Sequence, residues 1–225
     1  MKKFTLLLLL VLLPLQMWGQ KKISILGDSY STYEGYMTPS TNLSWYAGED
    51  GGPNKENDVI SVEQTWWKQL IDKAGLKLEI NNSYSGSTVC YTGYDKKDYS
   101  DRAFITRMNN LGNPDIIVIL GGTNDSWANS PIGKVKYKKW KKADLYSFCP
   151  AFCYMLNYIT KHYPNATIIN VCNSELKEEI TQAQAKICKK YGVKHILLKY
   201  VEKQWGHPSI AGMTSICNQI LPLIQ

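Results

Sequence analysis

The stretch DIIVILGGTND, residues 115–125, indicates the fold class, because a buried strand in it runs directly into a polar loop. Its apolar part is continuous, and such strands are typical of a parallel sheet that is covered on both faces. Four further β-branched segments have the length of a strand. The predicted strands are 22–26, 77–81, 115–120, 167–172 and 194–198, with 115–120 central in the sheet.

Segments with a helical spacing of apolar residues alternate with these strands. The predicted helices are 62–73, 101–109, 143–162, 174–191 and 209–221. Gly75, Pro164 and Gly192 follow three of them, at positions where glycine and proline end helices. Because strands and helices alternate throughout, we expect an α/β fold built on a five-stranded parallel sheet.

Residues 1–20 have the pattern of a secretory signal peptide. Lys2 and Lys3 precede an apolar run at 5–15 that is too short to span a bilayer, and Gly19 supplies a small residue near a plausible cleavage point. No cysteine follows that run to carry a lipoprotein anchor, and no later segment is long and apolar enough to cross a membrane. We therefore expect residues 21–225 to be one exported domain, secreted or periplasmic, with no stable membrane anchor.

Charge and cysteine content argue against several classes of protein. Removing residues 1–20 takes away two of the 26 Lys and Arg residues and none of the 19 acidic ones, and the remaining charge of +5 is too mild to indicate nucleic-acid binding. The six cysteines are spread over a chain too long to need a disulfide framework, which favours buried free thiols. No CxxC pair occurs and the three histidines are scattered, so we expect no metal and no cofactor.

In an open parallel sheet, ligands bind beyond the carboxyl ends of the strands. The loops at that edge begin with GDSYS, NSYSGST and GGTND, and WGHPS precedes the last helix. Acyl transfer needs a nucleophile, a base and hydrogen-bond donors for the oxyanion. In these loops Ser29 is the candidate nucleophile and His207 the candidate base. The candidate oxyanion donors are the backbone N–H groups of Ser29 and Gly86 and the side-chain amide of Asn124.

Four short blocks follow one another along the chain: Gly27-Asp28-Ser29, Gly86, Gly122-Thr123-Asn124-Asp125 and His207-Pro208. In order and spacing they resemble the blocks of the SGNH hydrolase (GDSL-type esterase) superfamily. The resemblance implies a flavodoxin-like three-layer α/β/α sandwich and an esterase with the nucleophile, base and oxyanion donors named above. It also implies that Asp28 supports the nucleophile loop.

One position departs from that family, which usually places an aspartate three residues before the catalytic histidine, where this chain has Gln204. In a serine protease, replacing the triad acid with an amide costs on the order of 10⁴ in rate. Three outcomes are open: a Ser–His dyad oriented by a backbone carbonyl or by the Gln204 oxygen, an acid supplied by Glu202 or Asp125, or a weakened enzyme. We favour the dyad or the relocated acid, and expect Asp125 to orient its own loop.

Aromatic side chains crowd the loops at this edge. The candidate substrate-binding residues are Trp45, Tyr91, Trp127 and Trp205. Flat rings with polar rims suit the faces of sugars better than a long acyl chain. The insert 38–58 is a candidate substrate-binding loop. The run KVKYKKWKK at 134–142 is either a solvated segment or a basic rim for an anionic substrate.

These features predict an exported serine esterase that removes acetyl or another short acyl group, most simply from a glycan. The expected partner is a small-molecule or glycan ester. One alternative is a lipase, lysophospholipase or thioesterase of the same fold, which a wide apolar groove beside Ser29 favours. Another is a carbohydrate-binding protein that has kept the fold and lost turnover, which Gln204 favours.

Overall fold

The computed structural model describes residues 19–48 and 56–224, so all of the predicted signal peptide except Gly19 and Gln20 lies outside the described residues. The strands of the main sheet are β1 (Lys22–Gly27), β2 (Lys77–Asn81), β3 (Ile116–Leu120), β4 (Thr167–Cys172) and β5 (Lys194–Leu197). All are parallel, in the order β2-β1-β3-β4-β5. The five-stranded parallel sheet and the central position of β3 are confirmed.

Helices cover both faces of this sheet. They are α1 (Trp66–Ala74), α2 (Phe104–Arg107), α3 (Thr123–Trp127), α4 (Phe148–His162), α5 (Glu178–Tyr191) and α6 (Ile210–Ile220). On one face α1 packs against α6, and on the other α4 packs against α2 and α5. The three-layer α/β/α sandwich is therefore confirmed.

The side chains of β3 alternate between two hydrophobic cores. Ile117 and Ile119 belong to the core under α2, α4 and α5, whereas Ile116, Val118 and Leu120 belong to the core under α1 and α6. All five side chains are buried. A central strand with a core on each face has no position for a polar side chain, which explains the continuous apolar run.

Two predicted helices are interrupted, the predicted helix 101–109 forms only the single turn of α2, and the predicted helix 174–191 begins only at Glu178. The segment 62–73 contains a 3-10 turn (Val62–Gln64), after which α1 starts anew, and 143–162 likewise contains a 3-10 turn (Lys142–Tyr146) before α4. Thr65 and Ser147 interrupt these segments because both have extended backbone angles, and the Thr65 hydroxyl accepts from the Lys68 N–H as an N-cap. Apolar spacing alone does not reveal such a cap.

Two short elements were not predicted. One is α3, a single helical turn after β3, and the other is a hairpin of β6 (Lys203–Gln204) and β7 (His207–Pro208). Both are too short to have a periodic sequence signal. Both nevertheless hold candidate site residues, Asn124 and His207.

The lysine-rich run 134–142 lies against the outer helices. Trp140 packs edge-on against Tyr154 of α4, and Tyr137 against Tyr191 at the end of α5. Most of the lysines of the run are exposed, while its aromatic rings cover the core under α4 and α5. The run does not line the candidate active-site cavity, so the basic-rim interpretation has no support from its position.

All six cysteines are buried with free thiols. Within the described residues, no helix combines the length and the apolar character that crossing a bilayer requires.

Candidate active site

Four loops at the carboxyl edge of the sheet meet around one cavity. Ser29 starts a 3-10 turn directly after β1, Gly86 lies in the loop after β2, Asn124 lies in α3 and His207 in β7. The cavity has a volume of about 230 Å³. It is lined by Ser29, Trp45, Ser85, Gly86, Tyr94, Asn124, Trp127 and His207. The structure thus brings together the four residues that the sequence proposes for nucleophile, base and oxyanion donors.

Ser29 and His207 form a hydrogen-bonded pair. Nε2 of His207 lies 2.9 Å from Oγ of Ser29, and Nδ1 lies 3.2 Å from the carbonyl oxygen of Trp205. Because a carbonyl oxygen only accepts, Nδ1 carries the ring hydrogen, and Nε2 is free to accept from the Ser29 hydroxyl. This is the tautomer that a general base requires.

No carboxylate among the described residues contacts His207. Gln204 Oε1 instead accepts from the Asp58 N–H at 2.8 Å, and Glu202 Oε1 accepts from the Ser209 hydroxyl at 2.6 Å. Of the outcomes left open by the sequence, the geometry corresponds to a dyad that a backbone carbonyl orients. Glu202 and Gln204 fasten the hairpin and the start of α6 rather than the imidazole.

Aromatic rings surround His207. The Trp45 ring stacks on it with centroids 3.4 Å apart and planes 9° apart, while Trp127 meets it edge-on at 6.2 Å. Burial lowers the pKa of His207 to about 4, with the hydrogen bond to the Trp205 carbonyl opposing this shift and the nearby Lys203 adding to it. The imidazole is therefore neutral near pH 7, as a base must be before it accepts a proton.

The oxyanion-donor candidates are oriented by their neighbours. Asn124 Nδ2 donates to the Ser87 carbonyl at 3.0 Å, and its Oδ1 accepts from the Tyr94 hydroxyl at 2.8 Å. Gly86 has a φ of 77°, in the left-handed region that glycine adopts without strain. Within the described residues, the backbone N–H groups of Ser29 and Gly86 have no acceptor, and both residues line the cavity.

Two buried aspartates hold the loops. Asp28 Oδ1 accepts from the Tyr30 N–H at 3.1 Å, and burial raises the pKa of Asp28 to about 7. The Asp125 carboxylate accepts from the Val89 N–H at 2.7 Å and the Cys90 N–H at 3.2 Å, and burial raises its pKa to about 6. Asp28 stabilises the turn that carries Ser29, and Asp125 joins α3 to the loop after β2.

Arg107 is a buried residue of this region that the sequence reasoning missed. Its Nη2 donates to the Gly27 carbonyl at 3.1 Å and to the Ser87 hydroxyl at 2.9 Å, and its Nη1 donates to the Asn82 carbonyl. Burial lowers the pKa of Arg107 to about 9, although the nearby Asp28 opposes this. The guanidinium thus connects the loop that carries Ser29 to the loop that carries Gly86. Nothing in its sequence context distinguishes it from an ordinary helix-end arginine.

The four aromatic candidates divide into two groups. Trp45 and Trp127 line the cavity, whereas Tyr91 packs against Tyr146 at 5.4 Å on the adjoining core and does not line it. The Trp205 ring also lies outside the cavity lining and is 70% exposed, because only the Trp205 carbonyl is turned towards His207. Tyr94, in contrast, lines the cavity.

The described part of the insert 38–58 carries Trp45 and ends in Asn57 and Asp58, which bond to the β6-β7 hairpin. Residues 49–55 lie outside the described residues.

In the part of the chain that the structure describes, no group of three or more His, Cys, Asp or Glu side chains is placed to hold a metal ion.

The chain is similar to known proteins over almost its whole length. A family model described as GDSL-like lipase/acylhydrolase matches residues 21–224. A structure described as a GDSL-like lipase from Bacteroides uniformis ATCC 8492 has 58% sequence identity and a TM-score of 0.89, covering 92% of this chain and 96% of that chain. Another, from Bacteroides ovatus ATCC 8483, has 50% identity and a TM-score of 0.89, covering 92% and 98%.

More distant structures share the fold alone. A family two carbohydrate esterase from Clostridium thermocellum, solved in complex with cellohexaose, has 15% identity and a TM-score of 0.61, covering 91% of this chain and 63% of that chain. No curated protein matches the chain. The family match and the two Bacteroides structures carry the assignment: the chain belongs to the GDSL-like lipase/acylhydrolase family, the SGNH hydrolases, and is an esterase.

Proposed function

We propose that this protein hydrolyses short acyl esters, acetyl above all, carried on carbohydrate, with Ser29 as nucleophile and His207 as base. One observation carries the proposal. The Ser29 hydroxyl lies 2.9 Å from a neutral imidazole nitrogen, beside a small cavity with indole walls. A nucleophile, a base and an oriented tautomer are the parts that acyl transfer needs.

The proposed reaction has two steps. His207 Nε2 takes the Ser29 proton as Oγ bonds to the ester carbonyl carbon, and the Asn124 amide and the two backbone N–H groups bind the oxyanion. His207 then gives this proton to the leaving alkoxide, so that an acyl group remains on Ser29. In the second step His207 takes a proton from water, the hydroxide attacks the acyl-enzyme, and Ser29 recovers its hydrogen from His207 as the carboxylic acid leaves.

The preference for a short acyl group is supported by the size of the cavity. Its 230 Å³ is below the range of about 300–1,000 Å³ typical of pockets that enclose drug-sized ligands. An acetyl group fits such a space, whereas a long acyl chain needs an extended apolar groove. The described residues around Ser29 provide polar groups and indole rings instead.

The carbohydrate part of the proposal rests on the aromatic walls. The Trp127 ring lines the cavity and remains 42% exposed, so a flat apolar surface is offered beside the nucleophile. Aromatic faces of this kind pack well against sugar rings. The similarity of fold to a carbohydrate esterase that was solved with cellohexaose agrees with this choice.

The alternative of a binding protein without turnover rests on Gln204, which occupies the position of the family's acid. The Trp205 carbonyl at 3.2 Å from Nδ1 weakens that alternative, because a carbonyl can also orient the imidazole. A structure at 15% identity is described as a carbohydrate esterase whose active site has divergent catalytic and non-catalytic binding functions. Turnover of an acetyl ester is therefore the property that distinguishes the esterase from the binding protein.

The test is hydrolysis of p-nitrophenyl esters from acetate to decanoate, together with acetate release from acetylated xylan. We expect activity on short chains only, and a loss of at least about 10³-fold in Ser29→Ala and in His207→Ala. Ser40→Ala and His162→Ala, which change exposed side chains, serve as matched controls. An inactive wild type that still binds the polysaccharide would favour the binding protein, and a preference for decanoate would favour the lipase.

We also propose that residues 1–20 direct export and are removed. Mass spectrometry of the protein produced from the full-length sequence in a bacterial host checks this. A mature chain that starts near Gln20 or Lys21 is expected, and an intact Met1 on exported protein would contradict cleavage.

A further inference from the structure

We propose that Trp45 is a catalytic residue, whose indole face stabilises the imidazolium of His207 that forms while Ser29 attacks the ester. This inference rests on the proposed function, since it concerns the charge that appears on His207 during that reaction. It assigns Trp45 a role different from that of a platform for the sugar.

The stacking geometry is the first argument. The ring centroids of Trp45 and His207 are 3.4 Å apart and the planes are within 9° of parallel. Two neutral aromatic rings prefer an offset or edge-to-face arrangement, because their negative faces repel each other. A cation over the face of an indole is attracted by the same negative charge. The arrangement therefore suits the protonated imidazole better than the neutral one.

The indole is fixed relative to the nucleophile, which is the second argument. The backbone N–H of Trp45 donates to the Thr32 hydroxyl at 2.9 Å, and that hydroxyl donates to the Ser29 carbonyl at 3.0 Å. The indole Nε1–H is buried and has no partner among the described residues. The position of the indole ring is therefore set by the backbone bond to Thr32 and by stacking on His207, and not by a hydrogen bond of Nε1–H.

The need for such a contact is the third argument. The imidazolium must form in a buried place, where the positive charge of Lys203 also disfavours it. Besides Trp45, the groups that face the ring are the Trp205 carbonyl, the Ser29 hydroxyl and the rings of Tyr30, Tyr46 and Trp127. In a triad, a carboxylate stabilises this cation. Within the described residues no carboxylate does so, and the indole face supplies part of the missing stabilisation.

This role acts on the transition state. The charge on His207 exists only while the proton is held, so a weaker indole face should lower kcat and leave KM almost unchanged. A residue that only packs against His207 would not respond to the electron density of its ring, and a residue that only binds sugar would not affect the hydrolysis of p-nitrophenyl acetate, which carries no sugar.

The experiment replaces Trp45 with fluorinated tryptophans by stop-codon suppression, in a series from one to four ring fluorines. Fluorine withdraws electron density from the ring face and changes the shape very little. We expect kcat for p-nitrophenyl acetate to fall at each step, by about 3-fold to 30-fold in total, which corresponds to the range of a cation–π contact. The same analogues at Trp140, which packs against Tyr154 of α4 and does not line the cavity, should leave kcat unchanged.

A second measurement needs no ester. Histidine labelled with ¹³C allows the pKa of His207 to be followed by NMR, with its signal identified by its absence in His207→Ala. The pKa should decrease along the series at Trp45. A constant pKa and constant kcat would overturn the inference and leave the esterase proposal intact. An inactive wild type would overturn the esterase proposal, while the titration would still decide whether the indole stabilises the cation.

Discussion

The Tyr94 hydroxyl donates a 2.8 Å hydrogen bond to the side-chain oxygen of Asn124, and so decides which way that amide faces. Because the oxygen is bound to Tyr94 and one N–H to the Ser87 carbonyl, the amide cannot turn its oxygen towards the oxyanion without losing both bonds. Tyr94 thus positions the Asn124 amide, the proposed oxyanion donor.

Tyr94→Phe is therefore expected to lower kcat by about 3-fold to 10-fold, the value of one hydrogen bond, with little change in KM for p-nitrophenyl acetate. The phenyl ring keeps the cavity wall, so the loss should come from the orientation of Asn124. Tyr99→Phe, in the same loop, is the matched control and should keep full kcat. Equal kcat in Tyr94→Phe and wild type would show that Asn124 is oriented without the phenol.

Arg107 joins the loops after β1 and β2 by hydrogen bonds, and we expect these bonds to contribute to the free energy of unfolding. Arg107→Met removes the donors to the Gly27 and Asn82 carbonyls. It leaves the buried Asn82 carbonyl without a partner, while the Gly27 carbonyl keeps the Tyr84 N–H. We expect the free energy of unfolding in urea to fall by about 3 kcal/mol or more. Arg102→Met removes a partly exposed pair with Asp101 and the contacts of the guanidinium with the Tyr84 and Tyr99 rings, and should cost about 1 kcal/mol. Similar losses in the two variants would mean that Arg107 does not join the loops.

The sequence is sufficient to predict the parts of this fold that repeat a simple pattern. The run at Ile116 to Leu120 shows a strand with a core on each face, and the polar blocks after the strands show where the cavity lies. Ser29 and His207 are 178 positions apart, yet their meeting follows from one rule about the carboxyl ends of parallel strands.

Contacts that depend on the path of irregular loops could not be predicted from the sequence. The Trp45 ring reaches His207 from an insert without helical or strand spacing, and Trp205 contributes its carbonyl rather than its ring. Arg107 has the pattern of a surface residue at the end of a helix and is buried only because the loops after β1 and β2 close over it. Tertiary contacts decide such positions, and local patterns carry no signal for them.

The pH dependence of the reaction follows from the environment of His207. Burial lowers its pKa to about 4, so the base stays neutral as the pH falls from 7 and is protonated only in acid. We expect kcat/KM to fall with decreasing pH, with its midpoint well below the ordinary histidine value of about 6.5. Recovery of activity after return to pH 7 separates titration from unfolding. A fall in kcat/KM with its midpoint near pH 7 would instead indicate titration of Asp28, whose pKa is raised to about 7. Asp28→Asn would then abolish that fall.

The last prediction concerns Glu202, the carboxylate nearest in sequence to the hairpin that holds His207. Its Oε1 accepts from the Ser209 hydroxyl, which caps α6, and does not contact the imidazole. Glutamine can accept the same hydrogen bond, so Glu202→Gln should keep kcat/KM within about threefold of wild type. Gln204→Glu should also keep kcat/KM within about threefold of wild type, because Oε1 of Gln204 already accepts from the Asp58 N–H and a glutamate oxygen can accept the same bond.

A hidden triad would behave differently. If Glu202 moved to Nδ1 of His207 during the reaction, Glu202→Gln would lower kcat/KM towards the 10⁴-fold loss that an amide causes at the acid position of a serine protease. Ser209→Ala distinguishes a capping role from a catalytic one, since it removes the α6 cap and the hydrogen bond to the Glu202 side chain and leaves the carboxylate. We expect Ser209→Ala to lower the free energy of unfolding by about 1 kcal/mol, with the pH midpoint of kcat/KM unchanged, because the Trp205 carbonyl alone orients the base.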